Sequence, residues 1–221
     1  MSEAPQTSAL EELRADPSSR KRFLRGLGGG AAAATFAVAL AACGKKKVAG
    51  NQIGGAGVGT AAYGQGDAGI VNFALSLEYL EADFYRLAIA SGQLKGRALE
   101  HAKRFGAEEQ AHVTTLSGTV KNLGGTPAPR PKPSFTLDSP NAVLATMNQL
   151  ELVGAAAYLG QLDRIKSKQV LAAALSIHTV EARHAAAIST MLGQPISPDG
   201  AFARPATSVD VTQTIRPFIT A

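Results

Sequence analysis

Four long segments of the chain repeat apolar residues at intervals of three and four, which is the period of an amphipathic helix and not the alternation of a strand. These segments, rich in Ala, Leu and Glu, span residues 67–91, 97–123, 141–165 and 168–192. Gly92, Gly124 and Gly193 follow three of them as expected helix caps, and Ser139-Pro140 precedes the third segment as a serine cap and first-turn proline. No segment is predicted to be a strand. The pattern therefore predicts an all-α protein in which residues 67–193 form a four-helix bundle.

The lengths of the connections predict how the helices are ordered. Residues 92–96 and 166–167 make short links, so the first and second helices are expected to pair antiparallel, as are the third and fourth. The connection at 124–138 is longer and has prolines at alternate positions from 127 to 133, which is typical of extended polyproline II. Such a segment can run the length of the bundle. The expected order is up-down-down-up, with an approximate two-fold axis relating the halves.

One set of polar residues occurs twice along the predicted helices. The first half contains Glu78, Tyr85, Glu109 and His112, and the second half contains Glu151, Tyr158, Glu181 and His184. The Glu and Tyr recur after 73 residues and the Glu-x-x-His motif after 72, a difference that a loop absorbs. Helix positions three or seven apart share a face, and the neighbours on these faces are apolar. We therefore expect the four carboxylates to point into the core.

Four ionised glutamates in a core would repel one another and lose their hydration, so positive charge must lie between them. Two divalent metals would neutralise them, and glutamate oxygen with histidine nitrogen suits iron or manganese. A Glu from each of two helices with a Glu-x-x-His from each of the others is typical of ferritin-like di-iron and di-manganese proteins. Residues 67–193 resemble that superfamily. NFALSLEYLEADFY and EEQAHV more closely resemble an exported bacterial ferritin-like domain family that includes desiccation-related proteins.

The resemblance implies a ligand set and an activity. The metal ligands would be Glu78, Glu109, His112, Glu151, Glu181 and His184, holding two iron or manganese ions, with Glu109 and Glu181 as the bridges. The implied activity is redox chemistry with dioxygen or peroxide. Tyr85 and Tyr158 would orient carboxylates or donate an electron, or they are core aromatics with a hydrogen-bonded hydroxyl. The alternative function is a non-enzymatic stress-protection or interaction scaffold on the same fold.

Other acidic and histidine residues in these helices lack a partner across the predicted axis. Glu81, Asp83 and Glu108 correspond to apolar or glycine positions of the other half, so we expect them to be solvated or adjacent to the ligands. His101 is likewise unmatched. His178 lies one turn before Glu181 and is kept as a residue that approaches the metal site.

Charge and cysteine content exclude several classes of protein. The 22 Lys and Arg against 17 Asp and Glu give a net charge of only +5, and the basic residues form no stripe, which argues against nucleic acid as a partner. Cys43 is the single cysteine, so the chain has no internal disulfide framework and no CxxC iron module of the rubrerythrin type. The electron donor therefore stays unassigned. A homo-oligomer is possible, although a lipid tether on each subunit would hinder a closed storage cage.

The N-terminal residues are typical of an export signal. A basic stretch at 14–25 precedes a small apolar stretch at 26–42, and Leu40-Ala41-Ala42-Cys43 resembles the bacterial lipobox, in which the cysteine is lipidated and becomes the first mature residue. Residues 19–25 resemble a twin-arginine signal with Lys21 in place of the second arginine. We predict a signal peptide at 1–42, a flexible tether at 43–66 and a membrane-anchored lipoprotein of the cell envelope. Residues 194–221 are expected to form an extended tail with one helical turn at 209–215.

Overall fold

The computed structural model describes residues 60–220. Four long helices form a bundle: α1 (Gly66–Ala90), α2 (Gly96–Asn122), α3 (Pro140–Leu159) and α4 (Lys168–Met191). The prediction of an all-α four-helix bundle is therefore confirmed. The predicted signal peptide at 1–42, the lipidation site Cys43 and most of the predicted tether lie outside the described residues.

Contacts between the helices define the order of the bundle. Tyr85, late in α1, hydrogen-bonds to Glu151 in the middle of α3, whereas Tyr158, late in α3, hydrogen-bonds to Glu78 in the middle of α1. These two contacts require α1 and α3 to run in opposite directions. Because the links from α1 to α2 and from α3 to α4 are short, the order is up-down-down-up, and the halves are related by an approximate two-fold axis.

The helix ends follow the predicted caps. Gly92, Gly124 and Gly193 have φ angles of 70°, 77° and 66°, in the left-handed region where glycine has no Cβ to clash. Ser139 accepts a hydrogen bond from the Ala142 backbone N–H at 3.3 Å, as a serine N-cap does. The sequence therefore determines locally where most of these helices begin or end.

Helix α3 is shorter than predicted, because it ends at Leu159 and not at residue 165. The Ala206 backbone N–H donates to the Ala156 carbonyl at 2.9 Å, so a distant segment caps the last turn. A Cβ at Gly160 would lie 1.9 Å from the Ala206 carbonyl oxygen, and only glycine permits this approach. The chain then continues as a 3₁₀ turn at Leu162–Arg164. By length and hydropathy Pro140–Arg164 would pass as a membrane span, but its buried Glu151 marks α3 as a core helix.

The predicted flexible tether is wrong for its last residues, because a 3₁₀ helix at Thr60–Tyr63 packs on the bundle. Thr60 is only 4% exposed, and its hydroxyl accepts a hydrogen bond from the Arg164 guanidinium at 2.9 Å. The Tyr63 ring contacts Phe73 edge-on at 5.6 Å. The folded domain therefore begins by residue 60 and not at residue 67.

The tail also has more structure than the extended strap predicted for it. Helix α5 (Ser208–Ile215) has two turns, and its Val211 and Ile215 are buried in the core. Beyond it, β2 (Ile219–Thr220) pairs antiparallel with β1 (Lys132–Pro133) in the connection between α2 and α3. The expectation of no strand is therefore wrong at these two short segments. Both segments depend on contacts between residues far apart in sequence, which helical periodicity does not encode.

Candidate metal centre

The six residues predicted as ligands come together in the middle of the bundle. Each lies in the central turns of its helix, on the face that carries the apolar core residues. Glu78, Glu109, Glu151 and Glu181 are 0% exposed, His184 is 2% exposed, and the His112 side chain is 13% exposed. The glutamates and histidines that repeat in the sequence therefore form a single buried cluster. Their role as metal ligands stays a prediction.

The cluster divides into two overlapping groups of ligand atoms. One group contains Glu78, Glu109, His112 and Glu181, and the other contains Glu109, Glu151, Glu181 and His184; within each group the candidate ligand atoms lie within 4.8 Å of one another. Glu109 and Glu181 belong to both groups. This arrangement agrees with the bridging role expected for these two residues, and it places one histidine in each group.

The histidines direct Nδ1 at more carboxylate oxygens than one N–H can satisfy. Nδ1 of His112 lies 2.9 Å from Glu109 Oε2, 3.2 Å from Glu78 Oε2 and 3.3 Å from Glu181 Oε1. Nδ1 of His184 lies 3.0 Å from Glu109 Oε1 and 3.2 Å from Glu151 Oε2.

Three buried carboxylate oxygens of the cluster have no properly aligned hydrogen bond among residues 60–220: Glu109 Oε1 and both oxygens of Glu181. Buried acceptors without donors are costly, and oxygen and imidazole donors in this ratio suit iron or manganese. The residues present therefore fit the metals that the sequence implied.

Burial and hydrogen bonding separate the pKa values of the glutamates. Loss of solvent raises the pKa of Glu78 to about 8, although a hydrogen bond from His112 opposes the rise. Burial and the neighbouring carboxylates also raise the pKa values of Glu151 and Glu181. Burial has the same tendency at Glu109, but the hydrogen bond from His112 and the close approach of His184 outweigh it and lower that pKa to about 2. Glu109 is thus the ionised centre of the metal-free cluster.

The histidines supply the positive charge when no metal is bound. Burial alone would lower their pKa values, but the hydrogen bonds that the imidazoles donate to the carboxylates raise the pKa of His112 to about 12 and that of His184 to about 10. Both imidazoles are then protonated at neutral pH and pair with Glu109. Because a metal ligand must be deprotonated, metal binding has to displace these protons.

Each tyrosine of the repeat holds a glutamate of the other half. The Tyr158 hydroxyl donates to Glu78 Oε1 at 2.5 Å, and the Tyr85 hydroxyl donates to Glu151 Oε1. Burial, and then the nearby carboxylates, raise the pKa of both phenols, so both stay protonated. Each phenol therefore occupies one oxygen of its glutamate and leaves Oε2 directed at the histidine of the same group.

We expect Tyr85→Phe and Tyr158→Phe each to weaken metal binding by roughly 10-fold. Residues that hydrogen-bond to a metal ligand and orient it typically contribute about 10–100-fold to metal affinity. The measurement is titration of metal-free protein with Mn²⁺. Tyr79→Phe is the matched control, since the Tyr79 hydroxyl lies 3.5 Å from Ser117 and outside the cluster. If all three variants bind Mn²⁺ alike, the two phenols are ordinary core aromatics.

Two residues lie beside His184: Glu108, which was expected to be either solvated or adjacent to the ligands, and Phe105, which the sequence did not single out. The Glu108 carboxylate lies 2.6 Å from His184 Nε2, and the Phe105 ring stacks on the imidazole at 3.9 Å. Burial would raise the pKa of Glu108, but its hydrogen bonds with His184 and Arg104 lower it overall. These contacts fix the orientation of His184. The repeat argument discounted Glu108 because its counterpart in the other half is apolar.

The remaining candidates from the sequence lie outside the two groups. His178 directs Nδ1 at the Ala155 carbonyl oxygen at 3.0 Å, so it does not reach the cluster. Asp83 is buried and pairs with Arg86 at 3.1 Å and Arg130 at 3.0 Å. The ring of His101 packs against Phe105. Glu81, in contrast, is 3% exposed and lies against Glu181, so of the two expectations for it, solvated or adjacent to the ligands, the structure agrees with the second.

A bundle of four helices in which two Glu-x-x-His motifs and two further glutamates meet in the core defines the ferritin-like class of carboxylate proteins. The model of the family described as the ferritin-like domain matches residues 66–194. The chain therefore belongs to the ferritin-like domain family. Comparison with curated proteins gives no match.

Proposed function

We propose that this protein binds two iron or manganese ions in the buried cluster and uses them for redox chemistry with dioxygen or peroxide. The observation that supports the proposal is the pair of overlapping four-residue groups, each with one histidine and with Glu109 and Glu181 in common. The buried oxygens that lack hydrogen bonds are consistent with cation binding. Iron or manganese, when bound, would supply the change of valence that the side chains cannot.

The side chains contribute binding, orientation and exclusion of water. Glu109 and Glu181 would hold both metals, while Glu78 and Glu151 would each hold one. Tyr158 and Tyr85 fix the rotamers of Glu78 and Glu151 through their hydroxyl groups. The surrounding core keeps the four glutamates away from bulk water, which strengthens their electrostatic interactions.

A cavity at one end of the bundle favours dioxygen over peroxide. It has a volume of about 30 Å³ and a mostly apolar lining. The lining includes Ile70 and Leu77 of α1, Leu116 of α2 and Val170 of α4. Tyr158, which holds Glu78, also borders it. A mostly apolar lining favours small apolar molecules over polar ones. Dioxygen fits that description, whereas hydrogen peroxide requires hydrogen-bond partners.

Metal analysis and oxidant consumption test the proposed function. Protein purified without added metal is expected to contain up to two iron or manganese ions per chain. Metal-free protein reloaded anaerobically with Fe²⁺ should then consume dioxygen in proportion to protein, and faster than it consumes an equal concentration of peroxide. Protein that contains no metal and takes up none would contradict the proposal and leave the scaffold function.

We further propose that the protein is exported and anchored in the membrane by a lipid on Cys43, on the basis of the lipobox-like sequence Leu40-Ala41-Ala42-Cys43. Cys43→Ser should move the protein from the membrane fraction to the soluble fraction without changing its melting temperature. Ala49→Ser, in the same predicted tether, should leave it in the membrane fraction. Membrane retention of Cys43→Ser would show that the lipid is not the anchor.

A further inference from the structure

A fifth buried glutamate borders the cluster in one half of the bundle only. Glu81 lies one turn after Glu78 on α1, so both side chains project from the same face. It is 3% exposed, and its Oε2 has no hydrogen-bond partner among the described residues. The two oxygens of Glu181, on the opposite helix pair, also lack partners there. Two buried carboxylates with free oxygens thus lie at the same part of the core.

The space that these two carboxylates share is created by a glycine. A Cβ placed on Gly154 would lie 2.8 Å from Glu81 Oε1 and 2.8 Å from Glu181 Oε2. Such distances are shorter than van der Waals contact, so no larger residue fits there without displacing a carboxylate. Gly154 is therefore required by the position of Glu81 and Glu181.

Gly154 is also the counterpart of Glu81 in the repeat, 73 residues further along the chain. Because α1 and α3 cross the approximate two-fold axis in opposite directions, these two positions face each other near the axis. Two large side chains cannot occupy that point together. One half consequently supplies a carboxylate and the other half supplies the room for it, which explains why Glu81 has no symmetry mate.

We propose that Glu81 is a seventh metal ligand, added beside Glu181 by one half of the bundle only, so that the two metals have unequal ligand sets. The inference rests on the proposed function, since it needs a metal in the cluster. Glu81 lies one turn from Glu78 on α1 and faces Glu181 across Gly154, and Glu181 belongs to both groups of ligand atoms. A fourth carboxylate at one position would stabilise a higher positive charge there, so the metal at that position would be the one oxidised more easily.

Burial, together with the charges of the neighbouring carboxylates, raises the pKa of Glu81. In the metal-free cluster no cationic side chain pairs with Glu81 among the described residues. A bound metal would supply the positive charge that this carboxylate lacks.

Titration of the metal-free protein with Mn²⁺ tests the proposal. Wild-type protein is expected to bind two Mn²⁺ ions. Glu81→Gln should weaken one of the two by at least 10-fold and leave the other within about threefold. Glu100→Gln, which changes an exposed glutamate of α2, is the matched charge control and should bind as wild type.

Gly154→Ala gives a second and independent test that leaves every carboxylate in place. Its methyl group should displace Glu81 or Glu181 and weaken the same Mn²⁺ ion. Gly118→Ala is its control, because a Cβ there meets nothing within 4 Å. Loading with ⁵⁷Fe²⁺ adds a spectroscopic readout: two distinct Mössbauer doublets in wild-type protein should become more alike in Glu81→Gln.

Two results would overturn the inference. If Glu81→Gln binds both Mn²⁺ ions as tightly as wild type, Glu81 only shares a proton with Glu181. If it weakens both ions equally while Gly154→Ala weakens neither, Glu81 is a structural residue. Wild-type protein that binds no metal would instead contradict the proposed function, so the two failures are distinguishable.

Discussion

Glu181→Gln should eliminate metal binding and raise the melting temperature of the metal-free protein, whereas Glu109→Gln should eliminate metal binding and lower that temperature. Both residues belong to both groups of ligands, so loss of either should cost more than the roughly 10–100-fold that loss of an outer partner costs. The opposite effects on stability follow from their different surroundings. The measurements are Mn²⁺ titration and thermal unfolding of metal-free protein at pH 7.

The surroundings of Glu109 and Glu181 differ in their hydrogen bonds. Glu109 is ionised and lies between two protonated histidines, at 2.9 Å from His112 and 3.0 Å from His184. Removing one partner of a buried ion pair costs about 3–5 kcal/mol, which corresponds to several degrees in melting temperature for a domain of this size. Glu181 has no aligned hydrogen bond on either oxygen, and an amide there can donate to the surrounding acceptors. Glu181→Gln therefore removes a destabilising group.

Glutamine is used in both variants because it keeps the volume of glutamate and leaves no cavity. Glu100→Gln is again the control for a change of charge on an exposed surface, and it should alter neither metal binding nor stability. Equal changes in melting temperature for the two core variants would show that the histidines do not pair preferentially with Glu109. Retention of metal by either variant would place the centre elsewhere.

The sequence predicted the core of the site because the information there is local and repeated. Glu78 and Glu151 interrupt otherwise apolar helix faces, and the matching Glu-x-x-His motifs fix the register of the other two helices. Once the link lengths set the order of the helices, the ligands had to meet. Periodicity and symmetry were therefore sufficient for the six residues that the structure brings together.

The features that the sequence did not predict depend on asymmetry or on distant contacts. Glu81 was discounted because the repeat supplies no partner for it, although its spacing of three from Glu78 already placed it on the ligand face. The end of α3 depends on the Ala206 backbone, and no pattern within α3 encodes that contact. Helix α5 was expected as one turn at 209–215; it forms two turns because burial of Val211 and Ile215 stabilises a helix that would be too short to be stable alone.

The stability of the metal-free protein should fall as the pH rises from about 6.5 to 8. The pKa of Glu78 is raised from 4.5 to about 8, so its contribution is complete below pH 4.5 and is lost towards pH 8. The pKa values of His112 and His184 are raised from 6.5 to about 12 and about 10, so their contribution is complete below pH 6.5 and is lost above it. The pKa of Glu109 is lowered from 4.5 to about 2. Its contribution to stability is therefore complete above pH 4.5 and is lost only as the pH falls towards 2. The metal-free optimum therefore lies near pH 4.5, where Glu109 is ionised and Glu78 still holds its proton.

Metal-loaded protein should show the opposite trend, so the difference in melting temperature between loaded and metal-free protein should widen from pH 5.5 to pH 8. Protons and metal compete for Glu78, His112 and His184, and metal affinity consequently rises with pH. A metal that binds only the folded protein stabilises it by about 2.7 kcal/mol at a free concentration of 100 Kd, and by more as Kd falls. Thermal unfolding with and without Mn²⁺ across this range measures the difference. A difference that stays constant with pH would mean that metal binding displaces no protons from these three residues, and that the metal lies outside the cluster.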